Sequence, residues 1–192
     1  MKETENERLL SQEGLLVVLN DIAQKQKKGL PFIMASLFIW GVITTIALLP
    51  IDLMIKNIGI LSCGALLFPV SIVCAKIVNV DLFYKENPLI NGLLIATNNQ
   101  ILYLIICILL LIKAPMLVLP AYAIIYGAHL LPYAFFYQSK NYQYSSIFIC
   151  IAILVSMLFF HLNSMYIPII VEVGVLFLFL MLKKEIKKHR EL

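Results

Sequence analysis

Six apolar stretches joined by short polar connections constrain this chain more than any other feature. They run over Pro31–Leu49, Ile58–Val78, Pro88–Ile112, Pro115–Tyr137, Ser145–Leu162 and Met165–Leu182. At 1.5 Å per helical residue, each is long enough to approach or cross a hydrocarbon core of ~30 Å. An apolar excess arranged in such long runs reads as an integral membrane protein. Of the chain's residues 61% are hydrophobic and 14% charged, against about half and a quarter in soluble domains. The expectation is an all-α polytopic membrane bundle of six transmembrane helices, preceded by an N-terminal amphipathic helix.

Charge sets the expected orientation. Thirteen of the 15 Lys and Arg fall on the side of the two termini, and only Lys56 and Lys113 on the other. The positive-inside rule then places both termini in the cytoplasm. The net charge of +4 is therefore a topology signal and gives no reason to expect nucleic acid. The expected organisation is an interfacial segment over residues 1–29, the bundle over 30–183 and a basic tail over 184–192. Residues 1–13 are charged and expected to fray. In Gly14–Lys28, Leu15, Val18, Leu19 and Ile22 share a face and three lysines follow, which suits a helix on the inner leaflet. Packing beneath the bundle is the rival reading. The polar first 30 residues do not read as a cleavable leader, so the first span is expected to act as an uncleaved insertion signal.

Several local features carry structural expectations. Ser36, Trp40 and Thr44 share the protein-facing side of the first span, where the deep Trp40 N–H should find a partner. Pro69 should kink the second span, whose outer half concentrates small residues such as Gly59, Ser62 and Gly64. Asn87-Pro88 is a helix start. Within Pro88–Ile112, Asn98, Asn99 and Gln100 are consecutive and cover about 200° of helix circumference. Either they meet several neighbours or the helix breaks there, as transporter helices do at binding sites. Lys113–Pro115 and His161–Ser164 read as outer turns, and Gln138–Tyr144 as an inner loop.

The fourth span holds a polar and aromatic stripe: Tyr122, Tyr126, His129, Tyr133 and Phe136 recur at steps of four, three, four and three. They lie within roughly 80° of arc. Pro132 should leave the Ala128 carbonyl without its helical donor. Gly127 and Ala128 offer another face for close approach. Glu172 lies roughly 10 Å into the last span. A charge there is costly, so it either handles a proton or cation or sits protonated between helices. Depth makes Tyr122 or Tyr126 its better-placed neighbour, ahead of Asn98 or Asn99, and His129 lies deeper.

The candidate substrate- or ion-binding residues are thus Asn98, Asn99, Tyr122, Tyr126, His129, Tyr133 and Glu172. The plainer reading makes the amides interhelical glue and the tyrosines packing groups. Cys63, Cys74, Cys107 and Cys150 lie in apolar runs without ligand spacing, so no metal or other cofactor is expected. His129 as a general base lacks any supporting motif, which argues against an enzyme. Two functions stay open: binding or transport of a small solute or ion through an intramembrane polar pocket, and a non-catalytic structural, sensory or accessory subunit. Partners would be the lipid bilayer, a small ligand, and either a second copy or another membrane protein.

The segments KGLPFIMASLFIW (28–40), NPLINGLL (87–94), NNQILYLI (98–105) and YGAHLLPYAFFYQSK (126–140) together resemble a family of small multi-pass bacterial membrane proteins classed as a domain of unknown function. The resemblance spans roughly residues 25–185. It implies a bacterial cytoplasmic membrane protein and supplies no activity.

Overall fold

A computed structural model of the chain describes residues 2–82, 84–159 and 166–188. The described residues form helices and connections, without a strand. The helices are α1 (Lys2–Lys25), α2 (Leu30–Leu48), α3 (Leu53–Cys63), α4 (Leu67–Val78), α5 (Ile90–Lys113), α6 (Val118–His129), α7 (Leu131–Phe136), α8 (Lys140–Phe159) and α9 (Ile167–Lys188). Five helical stretches among them are long and apolar enough to cross a membrane: Lys27–Leu48, Leu53–Val78, Ile90–Lys113, Pro115–Phe136 and Lys140–Phe159. In α9, Glu172 and the Lys183-Lys184-Glu185 run interrupt the apolar sequence. The expected turn at His161–Ser164 and the start of the sixth run at Met165 lie outside the described residues, as does the tail beyond Lys188.

Prolines and cappers explain most helix boundaries. Asp52 caps α3 by accepting from the Met54 and Ile55 amides, at 2.8 and 3.4 Å. The expected kink at Pro69 is realised as a 3-10 turn, Gly64–Leu66, one turn earlier, where the missing proline N–H leaves the α-helical pattern unsupported. Pro132 splits the fourth apolar run into α6 and α7 at Leu130. Asn87 accepts from the Leu89 amide at 2.9 Å, opening the way into α5. That helix is continuous through Thr97–Gln100, so the amides do not break it.

Two expectations are corrected. The helix α1 begins at Lys2, where fraying was expected. Its second half packs under the bundle, burying Leu19, Ile22 and Ala23, while Leu15 stays exposed. The expected loop Gln138–Tyr144 shrinks to Tyr137–Ser139, because Asn141 and Tyr142 spend their polar groups on tertiary bonds from within the first turn of α8.

The helices form an open ring. On one side α4 packs on α2, α2 on α9 and α9 on α8; on the other, α8 packs on α6 and α6 on α5. Between α4 and α5 there is no comparable packing, so the ring has a gap. Close approach within it depends on glycine. A Cβ on Gly127 of α6 would lie 2.8 Å from the Ile149 side chain of α8, and one on Gly174 of α9 would lie 2.6 Å from the same side chain. Ile149 is thus clasped between two helices whose backbones can come near only because both positions lack a side chain.

At the end of the bundle that carries α1, a three-residue left-handed turn joins α1 to α2. Lys27, Lys28 and Gly29 have φ of 45°, 52° and 71°. Gly29 has no alternative: a Cβ would lie 2.6 Å from the Tyr137 ring. The turn is fixed by its surroundings. Tyr142 OH donates to the Lys28 carbonyl at 2.7 Å, and Tyr137 OH to Gln26 Oε1 at 2.8 Å. Lys28 Nζ pairs with Glu185 of α9 at 3.0 Å. Glu185 also accepts from Ser139 and Asn141.

Replacing Gly174 by Ala is expected to destabilise the fold by about 1–3 kcal/mol through overpacking. In denaturant melts of the reconstituted protein, combining it with Ile149→Ala should cost less than the sum of the two single changes, because the clash partner is gone.

Candidate functional site

The broken helix α6–α7 directs its stripe into the interior. Tyr122, Tyr126 and His129 are buried on α6, and Tyr133 on α7 is half-buried. Facing them are Ser36 and Trp40 on α2, Phe68 on α4, and Thr97 and Gln100 on α5. Two contiguous spaces lie between these walls. The larger, of about 320 Å³, is lined by Trp40, Ala65, Phe68, Gln100, Tyr122 and Tyr126, among others. The smaller, of about 40 Å³, reaches toward the α1 end past His129, Tyr133 and Tyr137. They share Ser36, Phe68, Thr97, Gln100 and Tyr126. The exposed Ala65 and Ile101 flank the larger space at the gap between the α4 and α5 sides of the ring.

The polar groups are individually placed. Thr97 Oγ1 donates to the Leu93 carbonyl at 2.9 Å and lies 2.9 Å from Tyr133 OH. Tyr133 OH in turn lies 2.9 Å from His129 Nε2. One arrangement of protons makes all three contacts hydrogen bonds at once. The single Thr97 proton is spent on Leu93, so Tyr133 donates to Thr97, and His129 Nε2 must carry the proton that Tyr133 accepts. Nδ1 of His129 has no hydrogen-bond partner among the described residues. Tyr126 OH faces Ser36 and makes no hydrogen bond of normal geometry among the described residues. Trp40 lies tilted against Tyr122 and edge-on to Tyr126, with ring centroids 5.7 and 5.2 Å away. Its indole N–H makes no hydrogen bond among the described residues, contrary to expectation.

No Asp, Glu, Lys or Arg lines either space among the described residues. The walls are aromatic and aliphatic, set with hydroxyl, carboxamide and imidazole groups. Such a surface can hold an uncharged molecule with a few hydrogen-bonding atoms, in the size range of small-ligand sites.

The seven sequence candidates divide. Tyr122, Tyr126, His129 and Tyr133 come together on the cavity wall. Asn98 and Asn99 do not: both are exposed on the outward side of α5, where Asn99 donates to Tyr103 OH at 3.1 Å. Glu172 lines neither space. It lies near enough to act electrostatically on Tyr126, and its Oε2 is buried without a hydrogen bond among the described residues. The sequence reading missed Ser36, Phe68, Thr97 and Gln100 as wall residues. The signal for α5 was available: Leu93, Thr97, Gln100 and Leu104 recur at steps of four, three and four.

The several apolar helices of membrane-crossing length, with a partly polar space among them, define the class: an all-α protein built like a polytopic membrane protein. The chain belongs to a family of unknown function (DUF7010), whose model matches residues 17–185. No curated protein and no solved structure matches it.

Changing Tyr133 to Phe is expected to remove both hydrogen bonds of the Thr97–Tyr133–His129 chain and to cost about 1–3 kcal/mol of stability. Nitrogen NMR of labelled wild-type protein should show His129 protonated at Nε2, and the Nε2 resonance should move in the Phe variant. An Nδ1–H tautomer in wild type would contradict the proton count.

Proposed function

We propose that this is a non-catalytic protein of the bacterial cytoplasmic membrane that binds, and passes or senses, a small uncharged amphiphilic solute in the cavity between α2, α4, α5 and α6. Six spans with both termini in the cytoplasm complete the reading, with α9 as the sixth. The charge distribution supports that orientation, and the family resemblance supports the bacterial membrane. The observation that carries the function is the character of the cavity wall. It combines aromatic faces, hydroxyls, a carboxamide and an imidazole with no ionic side chain among the described residues. A cation would meet no carboxylate there, which turns the reading away from ions and toward neutral solutes. The gap between α4 and α5 supports entry from the bilayer, where amphiphiles concentrate.

The test is thermal unfolding in lipid nanodiscs. Small neutral amphiphiles, such as medium-chain alcohols and monoacylglycerols, would be compared with alkali cations and quaternary amines. A ligand at 100 times its Kd stabilises the folded state by about 2.7 kcal/mol. Ala65→Trp should fill the mouth and abolish the shift while leaving the unliganded melting point nearly unchanged, since Ala65 is exposed. Glu172→Gln should leave the shift intact. Stabilisation by cations alone, lost in Glu172→Gln, would return the site to Glu172 and defeat this reading.

A further inference from the structure

The least buried of the membrane-length helices is α5. Its outward side carries a repeat: Ile95, Asn98, Leu102, Ile105, Leu109 and Ile112 recur at steps of three, four, three, four and three, and all six are exposed. That is the spacing of a coiled-coil seam. It lies roughly 140° around the helix from the cavity-lining residues. An exposed apolar repeat alone would mean little. α8 also exposes Ile147, Ile151, Leu154 and Leu158, and hydrocarbon suits them all. The difference on α5 is Asn98. It sits about 12 Å along the helix from Ile90, well inside a core of ~30 Å. It has no hydrogen-bond partner among the described residues, and a bare carboxamide in hydrocarbon is costly.

We propose that α5 is covered by α5 of a second copy of this chain, the two running parallel about a two-fold axis beside Asn98. The occupant follows from symmetry. Copies inserted in the same orientation pair in parallel, so every seam residue meets its own counterpart. A carboxamide carries both donor and acceptor, so Asn98 is complementary to itself and the pair closes two hydrogen bonds. A different helix would need a matching polar group at that depth. The flanking isoleucines and leucines supply the knobs that set the register. The cavity is left open by this arrangement, and the inference does not depend on what the cavity binds.

The experiment is oxidative cross-linking of the full chain in membrane vesicles from expressing cells. Single cysteines at Ile95, Leu102 and Ile105 are compared with Ile101 and Ile108, exposed on the same helix but off the seam. The wild type serves as background: Cys63, Cys74 and Cys107 are buried, and the part-exposed Cys150 on α8 is present in every variant alike. A disulfide needs Cα atoms about 5.5–6 Å apart, which a parallel seam provides. The expected result is a product at twice 21.8 kDa, at least fivefold stronger at the three seam positions than at the other two. Equal cross-linking at all five, or an adduct of another mass showing a different protein on α5, overturns the proposal. In a second measurement the purified chain is diluted in lipid and its dimer fraction followed. Asn98→Leu should raise the dimer dissociation constant about three- to thirty-fold, as loss of interhelical hydrogen bonds in lipid does. A wild type that stays monomeric at every dilution, or an Asn98→Leu variant that dimerises as well as wild type, refutes it.

Discussion

A polar group buried in protein has no water to bond, so it must find its partner within the protein. The tightly built end of this molecule follows from that. The left-handed turn Lys27–Gly29 leaves the Lys28 carbonyl to a side chain, and Tyr142 donates to it, while the Lys28 ammonium turns to Glu185. Glu185 gathers Lys28, Ser139 and Asn141 and so ties the last helix to the first and to the entry of α8. Apolar surface could not do this. Helices that are greasy all round pack with little preference for one rotation over another, and directional bonds supply the preference.

The same constraint explains how the interior is divided. Ile149 wedged between Gly127 and Gly174 brings α6, α8 and α9 within close range and leaves no room among them. On the opposite side the bulky rings of Trp40, Tyr122 and Tyr126 hold α2 and α6 apart. Space therefore collects beside the rings, and the hydroxyl, amide and imidazole groups around it bond in part to one another through Thr97, Tyr133 and His129.

Much of the fold could be read from the chain because bilayer length and proline geometry act locally. The apolar runs located the long helices, and the step pattern of Tyr122, Tyr126, His129 and Tyr133 put them on one wall; Pro132 reads only as freeing the Ala128 carbonyl, and the split into α6 and α7 goes further. What escaped depends on neighbours. Periodicity showed that Asn98, Asn99 and Gln100 could not share a face, but which of them turned inward depended on α6 lying beside α5. Glu172 drew notice by its charge, although the wall is made by uncharged groups. Asn141 and Tyr142 looked like loop residues because their polarity is used by distant partners. The left-handed backbone at Lys27 and Lys28 has no local signature in lysine at all.

The attachment of α1 has a mechanical consequence. Lys27 Nζ bonds the carbonyl of Val78, the last residue of α4. Gln26 bonds the carbonyl of Leu82, and Asn87, at the root of α5, bonds the Val18 carbonyl and Asp21. Both jambs of the cavity's doorway are therefore hinged to one short crossbar that forms no part of the larger chamber. One helix at the end of the molecule thus anchors both elements that border an opening further along it.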